Sequence, residues 1–195
     1  MSRTKKSTTT TKKNSRKQNI FNIITPDDAF VILQTLAKED KEIAKRIEQL
    51  AMEYLSDVDV EGIADDVYSA LEFIDVHDLW DNAGPTRDGY VDVNELAWEM
   101  FEEALQPFLD ELKKYQKLSM PAEAKYLCMG ILHGLYRFEK ESKSEFKDWA
   151  VDAPGEYFGT VLDEWRDNCD SSDELEEMQT FIQENCPKWA KYFKS

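Results

Sequence analysis

Residues 121–142 read PAEAKYLCMGILHGLYRFEKES, the most apolar helical pattern in the chain. Pro121 suits the first position of a helix, where its missing N–H would be unpaired in any case. Gly130 and Gly134 lie one turn apart and would let a second helix approach closely, although each costs roughly 1 kcal/mol in helix propensity. We therefore expect this helix at the centre of the fold. Its apolar stripe, at spacings of three and four, is Ala124, Leu127, Cys128, Ile131, Leu132 and Leu135.

Segments on either side of this helix carry the same periodicity. Residues 25–40 begin with Thr25 as an N-cap and Pro26 at the first helical position. Residues 93–118 form a long segment with Pro107 inside it, so we expect a kink or a break near Gln106. Further amphipathic stretches predict helices over 43–54, 59–75, 153–169 and 171–185, the last starting with a capping box of Ser171 and Glu174.

The fold class that follows is all-α, built of antiparallel helix hairpins. Residues 59–68 echo residues 92–101 at an offset of 33, a period typical of stacked HEAT- or TPR-like repeats. Two amphipathic helices with similar caps would produce the same echo. The scarcity of Gly (7) and Pro (6) in 195 residues, with 42% hydrophobic residues, favours one helical domain over 20–195.

The charge of the chain is unevenly distributed. The net charge is −16, yet residues 1–19 carry seven Lys/Arg and no acid, leaving 17 bases against 40 acids, or −23, in the rest. We expect a disordered tail in front of an acidic body that repels nucleic acid. The tail either contacts phosphates or only aids solubility. Its candidate phosphate-contacting residues are Arg3, Lys5, Lys6, Lys12, Lys13, Arg16 and Lys17.

Cysteine usage and hydropathy bear on the compartment. The three cysteines are odd in number and form no CxxC pair, which favours free thiols in a reducing environment. The N-terminal segment lacks the apolar region of a signal peptide, and no apolar run approaches the ~18 residues that span a membrane. We therefore expect a cytoplasmic protein without a membrane partner.

Residues 84–95, GPTRDGYVDVNE, resemble half of a calcium-binding loop. With Gly89 at position 6 and Glu95 at position 12, the later half fits, but position 1 is Gly84 where the loop needs a carboxylate. A capped turn explains the same residues, because Gly89 permits positive φ while Asp92 and Glu95 start a helix. We favour the capped turn, and keep calcium binding as a less favoured alternative.

Other chemical motifs are missing from the sequence. There is no HExxH, Cys/His cluster, GxGxxG, Walker loop or GxSxG, so the sequence predicts no catalytic residue, cofactor, metal or small-molecule substrate. The five tryptophans fall mostly on helical stripes and are expected in the core. Trp98 lies off its stripe, which makes it a candidate interface aromatic.

Several short motifs resemble a known family. They are Asp78–Trp80, Gly89–Tyr90, Ala97–Leu109, Gly134–Glu139 and Asp152–Pro154. Over about residues 28–167 the chain resembles the helical region of unknown function that accompanies SWIM-type zinc fingers in some archaeal and bacterial proteins. The CxC and CxH pairs of the finger itself are absent, so the resemblance implies a helical scaffold and no zinc.

Three hypotheses of function follow from these observations. The first is a non-catalytic helical module or scaffold that binds an unidentified protein partner. The second is a nucleic-acid-associated protein that acts through its basic tail, whose affinity would fall steeply with salt. The third is calcium binding through residues 84–95.

Overall fold

The structure is a computed structural model of the chain. It describes Ile20, residues 23–87 and residues 89–194, without the side chains of Thr86 and Lys194. The basic tail, residues 1–19, lies outside the described residues. The chain divides into two compact units, a first that ends at Glu53 and a second over Tyr54–Ser195.

The described residues are almost entirely helical, which confirms the all-α prediction. The eight α-helices found there are α1 Pro26–Glu39, α2 Lys41–Leu55, α3 Val60–Glu72, α4 Val76–Asn82, α5 Val93–Lys117, α6 Pro121–Glu141, α7 Ala153–Asp167 and α8 Ser172–Asn185. Short 3₁₀ turns cover Glu145–Asp148, Pro187–Trp189 and Tyr192–Lys194. No helix among the described residues is long and apolar enough to cross a membrane.

Helix α6 lies at the centre of the second unit, as its composition predicts. Twelve of its 21 residues are buried, and it packs against α3, α5, α7 and α8. Large buried side chains from its neighbours include Leu71 of α3, Phe101 of α5 and Phe158 of α7. The apolar periodicity of each segment therefore turns its stripe towards one shared core.

The two glycines of α6 are the contact points with α3. A Cβ at Gly130 would lie 2.6 Å from Ile63 Cγ2, and a Cβ at Gly134 would lie 2.6 Å from Val67 Cβ and 2.8 Å from the Ala64 carbonyl oxygen. The prediction that these glycines permit a close helix approach is confirmed.

Helix α5 runs through Pro107 without a break, so of the predicted kink or break near Gln106 the break is wrong and the kink stays a prediction. The carbonyl of Glu103 loses its helical partner at the proline. Both Pro107 and Glu103 are exposed, so water can replace the missing donor at little cost. A tight turn then joins α5 to α6, in which Ser119 has a φ of 55°. The Ser119 N–H donates a hydrogen bond to the Gln116 carbonyl, and the Met120 N–H donates one to the Tyr115 carbonyl. These two bonds form a Schellman motif.

A two-stranded antiparallel ribbon precedes α5. Strand β1 is Gly84–Thr86 and strand β2 is Gly89–Val91, and Pro85 pairs with Tyr90. The glycines at both ends have positive φ, 93° at Gly84 and 149° at Gly89, which side chains disfavour. Strands were not predicted here, because three residues are too few for a strand pattern.

The tryptophans depart from the predicted distribution. Trp165 is buried, and Trp149 and Trp189 are partly buried against the core. Trp80, expected in the core, is 49% exposed and packs edge-to-face on Trp149 with ring centroids 4.7 Å apart. The short helix α4 turns Leu79 into the core, and the adjacent Trp80 consequently points about 100° away.

Candidate interaction surface

The first unit presents large apolar side chains that are exposed among the described residues. Neither α1 nor α2 contains a buried residue. Seven large hydrocarbon side chains on these helices are between 37% and 61% exposed, and Met52 of α2 is 43% exposed. We call them the α1–α2 surface: Phe30, Val31, Ile32, Leu33, Leu36, Ile43 and Leu50.

Local hydrogen bonds start helix α1 where the sequence predicts. The Thr25 hydroxyl accepts a bond from the Asp28 N–H at 3.2 Å, and the Asp28 carboxylate accepts one from the Thr25 N–H at 3.1 Å. This capping box satisfies two donors that the helix leaves unpaired. The backbone and side-chain bonds from Thr25 also lower the pKa of Asp28.

A single residue separates the two helices. Asp40 adopts an extended conformation, with φ −138° and ψ 118°, and its N–H bonds the Leu36 carbonyl at the end of α1. Its carboxylate then accepts bonds from the N–H groups of Glu42 at 2.8 Å and Ile43 at 3.3 Å. The extended backbone of Asp40 therefore ends α1, and its side chain caps α2.

The two helices differ in how their apolar residues are arranged. The four consecutive residues Phe30–Leu33 are all exposed, and because neighbours on a helix point about 100° apart they surround much of α1. Helix α2 instead has one stripe, with Ile43, Ile47 and Leu50 at spacings of four and three. An apolar helix of the first kind is usually buried in protein on several sides.

The charge of these helices is low for this chain. Residues 20–53 hold four bases and seven acids, a net −3, whereas residues 54–195 hold 13 bases and 33 acids, a net −20. From Ala29 to Ala37 no residue is charged. The α1–α2 surface therefore carries little net charge that would repel another acidic molecule.

The predicted interface aromatic, Trp98, lies in the second unit. It is partly buried and packs against Tyr157 with ring centroids 6.1 Å apart. Tyr157 also stacks on Phe101 at 5.4 Å. Burial and a hydrogen bond with Glu102 raise the pKa of Tyr157 to about 12. A role for Trp98 at an interface stays a prediction, and its packing here accounts for its position off the α5 stripe.

The predicted phosphate-contacting residues of the tail all lie outside the described residues. The candidate calcium segment is described except for Asp88. Asp92 accepts bonds from the N–H groups of Asn94 at 2.8 Å and Glu95 at 3.2 Å, so its role as an N-cap of α5 is confirmed. In the described part of the chain no three His, Cys, Asp or Glu side chains are grouped as metal ligands.

A cavity of about 330 Å³ lies where the ends of α5 to α8 meet. Cys169 lines it, with its thiol 3.6 Å from the Ser171 carbonyl and 3.7 Å from a Glu174 carboxylate oxygen. Burial and the charge of Glu174 raise the pKa of Cys169 despite the bond from Ser171. A thiol in this setting is less nucleophilic than usual. Other lining residues are Gln116, Ser119, Met120, Trp165 and Asn168.

Three basic side chains of helix α6 contact carboxylates on neighbouring helices. Lys125 is only 4% exposed; burial lowers its pKa, but the hydrogen bond and charge of Glu177 outweigh this and raise it. His133 Nδ1 lies 3.4 Å from a Glu61 carboxylate oxygen. These pairs join α6 to α3 and α8 across the core edge. They are Lys125–Glu177, His133–Glu61 and Arg137–Asp65.

The sequence did contain a signal for the α1–α2 surface. Four consecutive apolar residues at Phe30–Leu33 cannot all face one core from a helix, since they point in four directions. Periodicity predicted that α1 and α2 are helices. It did not predict that no buried core forms around them.

Comparison of the chain with protein-family models, curated proteins and solved structures gave no match. The helices of the described residues define the class as an all-α protein. The resemblance to the helical region that accompanies SWIM-type fingers stays a prediction.

Proposed function

We propose that this protein is a non-catalytic helical interaction module and that the α1–α2 surface is its binding face. The observation that carries the proposal is that neither helix of this surface has a buried residue. Helices of 14 and 15 residues are marginal in water without packing. Covering the exposed side chains would therefore stabilise the helices and the complex together.

The gain on binding can be estimated from the exposed side chains. Fully burying one large apolar side chain is worth about 1.5–3 kcal/mol, so seven that are about half exposed would contribute roughly 5–10 kcal/mol. Association itself costs about 4–15 kcal/mol. A partner that contributes a similar apolar face doubles the gain and makes binding favourable.

A matched pair of variants tests this proposal. Phe30→Ser alters the surface, while Phe73→Ser alters an equally large side chain that is 83% exposed at the end of α3. We expect Phe30→Ser to reduce partner capture in affinity purification at least tenfold and Phe73→Ser to leave it unchanged. Equal capture by both variants and the parent chain would reject the surface.

We keep nucleic-acid binding through the tail as a second candidate, because residues 1–19 concentrate seven bases without an acid. Seven phosphate contacts would give a slope of about −5 to −6 in log affinity against log salt, as counterions are released. Replacing the seven bases by Gln should abolish binding to a fluorescent oligonucleotide. Retained binding would show that the tail is not responsible. A cytoplasmic location is part of the proposal, since Cys128, Cys169 and Cys186 are free thiols.

A further inference from the structure

We propose that the partner of the α1–α2 surface is a second copy of this chain, and that two α2 helices pair antiparallel with Ile47 of each copy against Leu50 of the other. The proposal rests on the interaction function proposed above and names the partner. Three features of residues 26–53 support it: the spacing of the α2 stripe, the charges beside that stripe, and the apolar area of α1.

The spacing of the α2 stripe is that of a helix-pairing seam. Ile43, Ile47 and Leu50 follow one another at intervals of four and three, which is the 3.5-residue repeat of coiled-coil a and d positions. Ile43 and Leu50 are exposed and Ile47 is half-buried. Within the first unit, no described residue covers Ile43 or Leu50 of this seam fully.

The charges beside the seam distinguish antiparallel from parallel pairing. Arg46 and Glu53 occupy the same flank, seven residues apart, at successive g positions. Both side chains are more than half exposed, and Arg46 Nη1 lies 4.0 Å from Glu53 Oε1 within the chain. Antiparallel pairing with Ile47 against Leu50 brings the g positions of the two copies together, and so sets Arg46 of each copy against Glu53 of the other. Parallel pairing would set Arg46 against an e position, which is Ala51.

The area of the surface suits a dimer. Taking roughly 150 Å² for a large apolar side chain fully in water, seven at about half exposure present on the order of 500 Å² per copy. A stable interface buries about 800 Å² per partner, including its polar rim. Because Phe30–Leu33 point in different directions, about 500 Å² is the most that one partner can cover, and the flanking charges of α2 supply the rim of the interface.

An anionic membrane fits this surface less well than a second copy. An interfacial helix needs a polar face rich in Lys and Arg. Helix α1 carries one base, Lys38, against Asp27, Asp28 and Glu39, so its own charges oppose an anionic lipid. Lipid binding is an outcome of the test below.

Sedimentation equilibrium of the full chain and its charge variants tests the pairing. We expect the parent to dimerise at micromolar concentration, and more tightly at higher salt because screening weakens repulsion between two chains of −16. Arg46→Glu and Glu53→Arg should each weaken self-association at least tenfold, since each sets like charges opposite. An equimolar mixture of these two variants should restore the dimer, because the opposite signs then meet.

The outcomes separate this proposal from the interaction function itself. A parent that stays monomeric to about 100 μM, well above the micromolar range of specific interfaces, overturns self-pairing. The interaction proposal survives that result if Phe30→Ser still abolishes partner capture. A dimer that both single charge variants leave unchanged overturns the antiparallel register. Binding of the parent to anionic vesicles without self-association overturns the choice of occupant. Circular dichroism of each variant confirms that its helices are retained.

Discussion

Replacing Gly134 by alanine tests whether α3 and α6 are held at the closest separation that two helices allow. The new Cβ would lie 2.6 Å from Val67 Cβ and 2.8 Å from the Ala64 carbonyl oxygen. The first distance falls about 0.8 Å short of the 3.4 Å at which ordinary van der Waals contact begins. Val67 is fully buried and β-branched, so it cannot rotate away.

The expected destabilisation is the difference between two opposing effects. Overpacking a core usually costs about 1–3 kcal/mol. We take a cost of about 3 kcal/mol here, because the new Cβ would clash with a backbone atom as well as with a side chain. The higher helix propensity of alanine relative to glycine stabilises the folded state by about 1 kcal/mol. The net loss of about 2 kcal/mol in unfolding free energy corresponds to a Tm lower by about 4–8 °C in a protein of this size. Thermal unfolding followed by circular dichroism measures it.

Gly159 in α7 is the matched control. A Cβ there would lie 3.5 Å from Tyr192 Cδ1, an ordinary contact. Gly159→Ala should therefore only increase helix propensity, and raise the Tm by about 2–4 °C. If Gly134→Ala raised the Tm as Gly159→Ala does, the close approach of α3 to α6 would be refuted.

Three further predictions concern other positions of the second unit. Ser119→Gly should raise the unfolding free energy in urea by about 0.5–1 kcal/mol, because glycine adopts the left-handed conformation that costs serine about 1–2 kcal/mol; a decrease would contradict the turn. Glu177→Gln should lower the free energy of unfolding by about 1–2 kcal/mol at pH 7. The substitution removes the carboxylate that pairs with Lys125, and leaves the charge of this buried lysine uncompensated. The folded pKa of Lys125 is raised, so this deficit should be present below pH ~10.5 and vanish as pH rises through the folded value; a deficit independent of pH would exclude the ion pair as its cause. In native protein a thiol reagent should modify Cys169 and spare Cys186, whose pKa burial raises to about 12, as peptide mass spectrometry would reveal; equal labelling of both thiols would contradict the burial of Cys186.

The parts of the fold that were predictable are those encoded within a few residues. Thr25 and Asp92 are N-caps because each side chain bonds N–H groups two or three residues ahead. Ser171 likewise accepts a bond from the Glu174 N–H at 3.3 Å, although the Glu174 carboxylate meets the Cys169 thiol. Such contacts need no distant partner, so the sequence pattern reveals them.

The parts that were not predictable depend on which segments meet. Trp80 and Trp98 are both aromatic residues on helices, yet the first is half exposed and the second packs on Tyr157, 59 positions further along. Lys125 is buried because Glu177 of α8 reaches it, which nothing near Lys125 in the chain indicates. The sequence analysis missed the α1–α2 surface because a sequence pattern does not show whether another segment covers an apolar face.

The sequence by itself determined the helical class, the position of most helix starts, the central place of α6 and the role of its glycines. Periodicity and capping are local, and the most apolar helix must be covered on most sides to leave water. Only the tertiary structure decided that the apolar faces of α3 to α8 share one core while those of α1 and α2 stay exposed. A pattern states that a face is apolar; the three-dimensional arrangement of distant segments decides whether anything covers it.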